Sequence, residues 1–368
     1  MLKRWLAGVL ALAAVAVAMV AAATGATAAP TLTNVTLQLK WVPQAQFAGY
    51  YAALDLGYYK QAGLNVTIKP GGPDIIPEQV VASGQAQFGI DWLPSLLASR
   101  EAGTDLVNIA QVFARSGMTE LTWKDSGIST IAKMRGKKVG NWLGGNQYEL
   151  FAALTKNGMN PAKNQGVTIV QQPFDMNLFL NRQIDAASAM TYNELAQVLE
   201  SKDPKTGKEV QLSQLNVIKM QNVGTGMLED GIFSTAKWLA SSANQATAVK
   251  FIAASLQGWT YCRDNVAACV GYTLKAGPTL PKGHQTWQMN EINKLIWPNA
   301  TGVGIMNTAD FARTAQIAQQ FKVIKAAPKG AYRTDLAKKA VAQLKAKGID
   351  VLGKSYKPQT VKIVPGGK

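Results

Sequence analysis

The stretch from Leu37 to Tyr59 reads LQLKWVPQAQFAGYYAALDLGYY, and its reading decides the fold. Val35, Leu37 and Leu39 alternate with Thr36, Gln38 and Lys40, the period of a half-buried strand. Pro43 cannot donate to a strand ladder and suits the first turn of a helix. An apolar, aromatic helix then runs on to Gly63, a good residue to end it. Trp41 thus stands at the carboxyl end of a strand, just ahead of a helix. Open α/β sheets place ligands there; a plain core aromatic is the alternative.

The pattern repeats downstream. Leu64 to Ile68 alternates as a second strand and ends at the turn Gly71-Gly72-Pro73-Asp74. A helix from about Ile76 to Ser83 follows, then a third strand from Gln87 to Asp91 that ends at Asp91-Trp92. Pro94 opens a helix through Glu101, and Leu106 to Phe113 is a fourth apolar strand. Strand and helix alternating at this spacing mean right-handed βαβ units and a mainly parallel sheet. The strand ends then bring Trp41, Asp74, Asp91 and Trp92 along one edge.

From about Ser116 a second unit begins. Leu121 to Trp123 and Lys137 to Trp142 read as strands, and Leu143-Gly144-Gly145-Asn146 turns into a helix through about Asn157. Such a glycine-rich turn presents N–H groups to anions or carbonyls, or is simply tight; it fits no nucleotide motif. Val167 to Val170 is a strand, and Asp185 to Met190 is a buried one ending at Tyr192-Asn193-Glu194. After the strand Leu215 to Met220, Gly224-Thr225-Gly226-Met227 reads as a return crossing, and the rest as mostly helical.

Composition bounds the class. The chain has 368 residues, 47% hydrophobic and 16% charged, which suits two packed domains rather than a disordered chain. Lys3 and Arg4, the apolar run Leu6 to Ala23 and the site Ala26-Thr27-Ala28 have the layout of a cleaved secretory signal over residues 1–28. The net charge is +16, and removing Lys3 and Arg4 leaves +14. The basic residues are not interleaved with stacking aromatics, so nucleic acid is not the expected partner. Cys262 and Cys269 would lie roughly 10 Å apart on one straight helix. Arg263-Asp264-Asn265 reads as a corner between two helices, across which they can meet, and export favours a disulfide over two free thiols.

Catalytic sets are not evident. The sequence has one histidine, His284, which reads as a cap or surface residue beside a helix. Ser95 and Ser188 have no evident base. The carboxylates Asp91, Glu149, Glu194 and Glu229, at strand ends among aromatics, read as hydrogen-bonding groups for a ligand or as structural caps. Export, two α/β units and aromatic strand ends describe a two-lobed binding protein, with no enzymatic activity expected.

Several stretches then resemble a known family. LQLKWVPQAQFAGYYAALDLGYYKQAGLNVTI, EQVVASGQAQFGI, MRGKKVGNW and RQIDAASAMTYNE are similar to ABC-importer substrate-binding proteins, in the branch that binds sulfonates and thiamine pyrimidine precursors. The resemblance runs from about residue 35 to 340. It implies an α/β, type II periplasmic-binding-protein fold: two lobes of mainly parallel sheet flanked by helices, joined by two crossover hinges. Lobe one would be residues 31–115 plus 232–368, and lobe two 116–231. A monomer outside the cytoplasm, or in the periplasm, would deliver a small molecule to a membrane permease.

The same resemblance implies a vitamin-related heterocycle as ligand: a thiamine pyrimidine precursor, with a flavin close behind. WKDSGI and NKLIWP are similar to stretches of riboflavin-binding members. Trp41, Gln46, Asp74, Asp91, Trp92, Trp142, Gly144, Gly145, Asn146, Tyr192, Glu194 and Glu229 are the expected ligand-binding residues, with no metal or cofactor. A sulfonate, nitrate or taurine binder is the alternative. A sister group, the thiamine pyrimidine synthases, carries a lysine and a histidine where this chain has Asp91 and Ser95. That makes synthase activity the least expected outcome.

Overall fold

Among residues 31–368, which the computed structural model describes, ten strands form two five-stranded sheets. The expected signal peptide lies outside the described residues. The strands are β1 (Thr33–Gln38), β2 (Leu64–Lys69), β3 (Phe88–Trp92), β4 (Leu106–Gln111), β5 (Met118–Trp123), β6 (Lys138–Asn141), β7 (Thr168–Gln171), β8 (Ala186–Met190), β9 (Leu215–Lys219) and β10 (Asp230–Thr235). The sheet orders are β2-β1-β3-β10-β4 and β7-β6-β8-β5-β9. Each sheet has the expected parallel βαβ core, β2-β1-β3 in one and β7-β6-β8 in the other. Helices flank both, so the class is α/β as expected.

The sheets are mixed rather than mainly parallel, and the crossings are the reason. The chain leaves the first sheet after β4 and enters the second as β5; it leaves after β9 and returns as β10. Each incoming strand inserts antiparallel between two strands of the sheet it joins: β5 between β8 and β9, and β10 between β3 and β4. The two halves thus each lend a central strand that begins at a crossing. β10 lies in a region the sequence reading took as mostly helical. The expected boundary at residues 231 and 232 falls inside it.

The first helix differs from its expected form. Residues 41–44 are a bend, and Pro43 lies ahead of the helix rather than in its first turn. A 3₁₀ turn at Ala45–Phe47 leads into the helix Ala48–Asp55. Gly57, at φ 73°, ends that segment before a short helix at Tyr58–Gln61. Ala48–Asp55 packs on the long helix Ser242–Asp264 at unusually close range: a Cβ built on Gly258 would stand 2.0 Å from the Gly49 carbonyl oxygen. The long helix ends at the expected corner, Asn265, and Val266–Ala276 follows. Across it Cys262 and Cys269 are joined in a disulfide, their Cα atoms 5.5 Å apart.

Candidate functional site

The carboxyl ends of β1 and β3 face, across a seam, the ends of β6 and β8. Lys40, Trp41, Gln44, Gln46 and Trp92 come from the first half; Trp142, Asn146, Met190, Tyr192, Asn193 and Glu194 come from the second. They enclose about 20 Å³, room for one water. A further space of about 10 Å³ lies on the other side of Lys40 and Trp41, bounded by Asp91, Gly72, Pro73, Ile75, Leu143 and Gly144. The seam is therefore narrow and largely filled by its own side chains.

Polar groups in the seam come in pairs. Lys40 forms a buried ion pair with Asp91, and its ammonium lies 5.2 Å from the centre of the Trp92 ring. Asp91 also accepts the Trp92 N–H at 2.6 Å. Glu78 is buried nearby; burial first, then the Asp91 charge, pushes its carboxyl well up. Gln46 donates to Asp230 at 2.9 Å and accepts from Gln44 at 2.6 Å. Burial pushes the Asp230 carboxyl up to about 7. The Glu194 carboxylate accepts the Met190 N–H at 2.9 Å and the Asn193 amide at 2.7 Å; burial holds it up at about 7. Tyr192 is buried beside these acids, and burial and their charges raise its phenol.

Three contacts close the seam. The Ser95 hydroxyl donates to the Gly145 carbonyl at 2.7 Å. The half-buried Trp41 ring stacks on Phe174, with centroids 6.5 Å apart and planes 24° apart. His284, on the helix Lys282–Ile296, reaches Glu200 at 2.9 Å through Nδ1 and Asn193 Oδ1 at 2.8 Å through Nε2. The histidine is thus a buried link between the halves, not a cap or surface residue.

Nine of the twelve expected ligand-binding residues border the seam or its outer space. Gly145 lines neither space: its carbonyl is taken by Ser95 and its N–H by Gln147 at 2.8 Å, so this turn presents no free N–H at that residue. Gly144 and Gly145 have φ of 95° and 135°, which a side chain strains to adopt. Two further expectations are corrected. Asp74 is exposed and lines neither space; without a cation to pair with, its carboxylate stays in water. Glu229 is buried under the crossings and outside the seam, its Oε1 accepting the N–H groups of Gly117 and Met118.

Lys40, Gln44, Met190 and Asn193 line the seam without being among the expected ligand-binding residues, and Phe174 stacks on its edge. Lys40 reads in the sequence as the polar face of a strand, and a lysine beside a strand-end tryptophan is the available signal. Phe174 follows a proline in the polar loop QQPFDMN, where an isolated aromatic at a strand's end is the same kind of signal.

This is the fold of the periplasmic binding proteins. The nitrate-binding protein NrtA of Synechocystis PCC 6803 aligns over 88% of this chain and 92% of its own, with TM-score 0.63 and 13% identity. The chain belongs to the NMT1/THI5-like family, whose model matches residues 44–267. The riboflavin-binding protein RibY of Chloroflexus aurantiacus is 24% identical over 286 residues, 76% of this chain and 77% of that one. The 4-amino-5-hydroxymethyl-2-methylpyrimidine phosphate synthase THI5 of Saccharomyces cerevisiae is 28% identical over 109 residues. This chain spans about a third of that enzyme, 32% of its length.

Proposed function

We propose that the chain is an extracytoplasmic solute-binding protein that holds a planar, vitamin-related nitrogen heterocycle between its two halves and delivers it to an ABC permease. A thiamine pyrimidine precursor and a flavin are the two forms considered. The observation that carries this is the seam itself. Trp41, Trp92, Trp142 and Tyr192 converge there from both halves, with Lys40, Gln46, Asn193 and Glu194 at their edges. Aromatic faces stack on a flat ring, and the edge groups supply donors and acceptors for ring nitrogens and carbonyls. RibY and the pyrimidine synthase bear names that point to such rings. In this reading the halves act as lobes and the crossings as hinges.

A sulfonate or nitrate ligand fits less well. Lys40 is the cation bordering the seam among the described residues, and Asp91 already neutralises it, while Glu194 and Asp230 stand close by. A synthase fits least. At the strand end where the resemblance places a lysine and a histidine, Asp91 is engaged by Lys40 and Ser95 by Gly145.

The test is titration of the purified protein, followed by tryptophan fluorescence, with a thiamine pyrimidine precursor, riboflavin, an alkanesulfonate and nitrate. Quenching that saturates at micromolar ring concentrations is expected. Saturation by the anions alone sinks the proposal.

A further inference from the structure

Phe174 is more exposed than a phenylalanine in a pinned loop has reason to be. The residue is 45% exposed. Yet the loop is held on both sides: Trp142 Nε1 donates to the Pro173 carbonyl at 3.2 Å, and the buried Gln172 donates to the Ser188 carbonyl at 2.8 Å. Asp175 accepts the Asn177 N–H at 2.8 Å, fixing the next turn. The exposure is thus a property of a fixed position.

The neighbours of Phe174 share this feature. Among the described residues seven large apolar side chains are exposed, and Ile75, Leu143 and Phe174 are three of them. Ile75 and Leu143 border the outer space beside Trp41, and Phe174 lies on the Trp41 ring. The two halves therefore present apolar lips to water on either side of the seam. A single six-membered ring covered by Trp41 alone would leave them wet. A wider apolar edge would cover them and remove their surface from water.

Phe174 also borders a second space. A groove of about 440 Å³ runs beside the seam, walled by Pro43, Phe174 and Leu280 and by the polar groups of Gln197, Glu200 and His284. It shares Gln44 and Asn193 with the narrow seam. A guest gripped at Trp41 has room there for a polar substituent, which the seam itself lacks.

We propose that Phe174 is the second leaf of an aromatic clamp, and that the ligand is a planar system of two or more fused rings held between Trp41 and Phe174, with a polar substituent in the adjoining groove. This rests on the heterocycle-binding reading above and narrows it. A ring between two others at van der Waals distance needs about 7–8 Å between the outer leaves. The two rings now stack with centroids 6.5 Å apart and planes 24° apart, so the guest takes its place between them as the halves part. Phe174 then sets specificity: it rewards area that a single pyrimidine does not have.

The experiment titrates the wild type, Phe174→Ala, Phe174→Trp and Trp41→Ala with three probes: riboflavin, lumichrome (the same three rings without the chain) and 4-amino-5-hydroxymethyl-2-methylpyrimidine. Thermal melting confirms that each variant folds. The expected result is that both three-ring probes bind at least tenfold more tightly than the pyrimidine. Phe174→Ala should weaken both by tenfold or more, Phe174→Trp should retain them, and riboflavin should exceed lumichrome. Pyrimidine binding as tight as the three-ring probes overturns the inference and leaves the proposed function standing. So does a Phe174→Ala effect below twofold where Trp41→Ala loses tenfold. Failure of all three probes removes both.

Discussion

The Glu229 carboxylate accepts the backbone N–H of Gly117 at 2.7 Å, tying the returning crossing to the outgoing one. It also takes the Met118 N–H at 3.1 Å. Glu149 makes the complementary tie, accepting from the Ser116 hydroxyl at 2.7 Å and from the Met227 N–H at 3.0 Å. Two buried carboxyls thus hold the two crossings side by side.

That arrangement makes the crossings sensitive to truncation and tolerant of an isostere. Glu229→Ala leaves the buried Gly117 N–H without an acceptor, while Met118 keeps the Ser116 hydroxyl oxygen at 3.1 Å, and is expected to cost about 1–3 kcal/mol in denaturant unfolding. Glu149→Gln keeps an acceptor for Met227, removes the ionisable proton and turns the oxygen facing the Ser116 hydroxyl into an amide that the hydroxyl can accept from by rotating, so near pH 6 it should cost less than Glu229→Ala. Equal losses for the two would show that charge, not hydrogen bonding, holds the crossings.

The buried acids also give stability a pH dependence. Burial pushes the carboxyls of Glu120 and Glu149 up to about 8 and those of Glu194 and Asp230 up to about 7. In the unfolded chain such groups ionise at about pH 4. Between those limits the folded protein holds more protons than the unfolded one, so stability falls as pH rises. Each group contributes roughly 1 kcal/mol per pH unit within its window. The melting temperature should therefore be higher at pH 5 than at pH 8, and Glu149→Gln should flatten the slope. A rise toward pH 8 would contradict the burial of protonated acids.

Lys40 and Asp91 form a buried pair with Glu78 behind them. Lys40→Met removes one partner and leaves a buried carboxylate, an expected loss of about 3–5 kcal/mol. The double change Lys40→Met with Asp91→Leu should recover most of it. If the double variant is as unstable as the single one, the loss comes from packing against Trp92 rather than from the stranded charge.

Trp41 is the stacking face of the proposed site. Trp41→Ala should weaken ring binding by about 1–3 kcal/mol, the range known for base stacking on aromatic side chains. Its half-exposed position means that folding should survive. Calorimetry on the folded variant is the check, and unchanged affinity would remove Trp41 from the site.

By itself, the sequence determined the local elements and their alternation. The helix Thr308–Gln320, opened by the Asn307 side chain, lies in the stretch read as helical, because its capping and apolar spacing are both local. The strand ends carrying Trp41, Asp91-Trp92, Trp142 and Tyr192 were legible for the same reason: period and turn chemistry are written in neighbouring residues. Only the tertiary structure decided what those ends meet. DGIFST becomes β10 because β3 and β4 leave a gap that the returning chain fills, a cause more than a hundred residues away in sequence. The bond between Gly117 and Glu229, the pairing of Lys40 with Asp91 and the stacking of Trp41 on Phe174 join residues whose own neighbourhoods say nothing of each other. Whether a carboxylate faces a ligand or a backbone N–H is settled by the partner that burial brings to it.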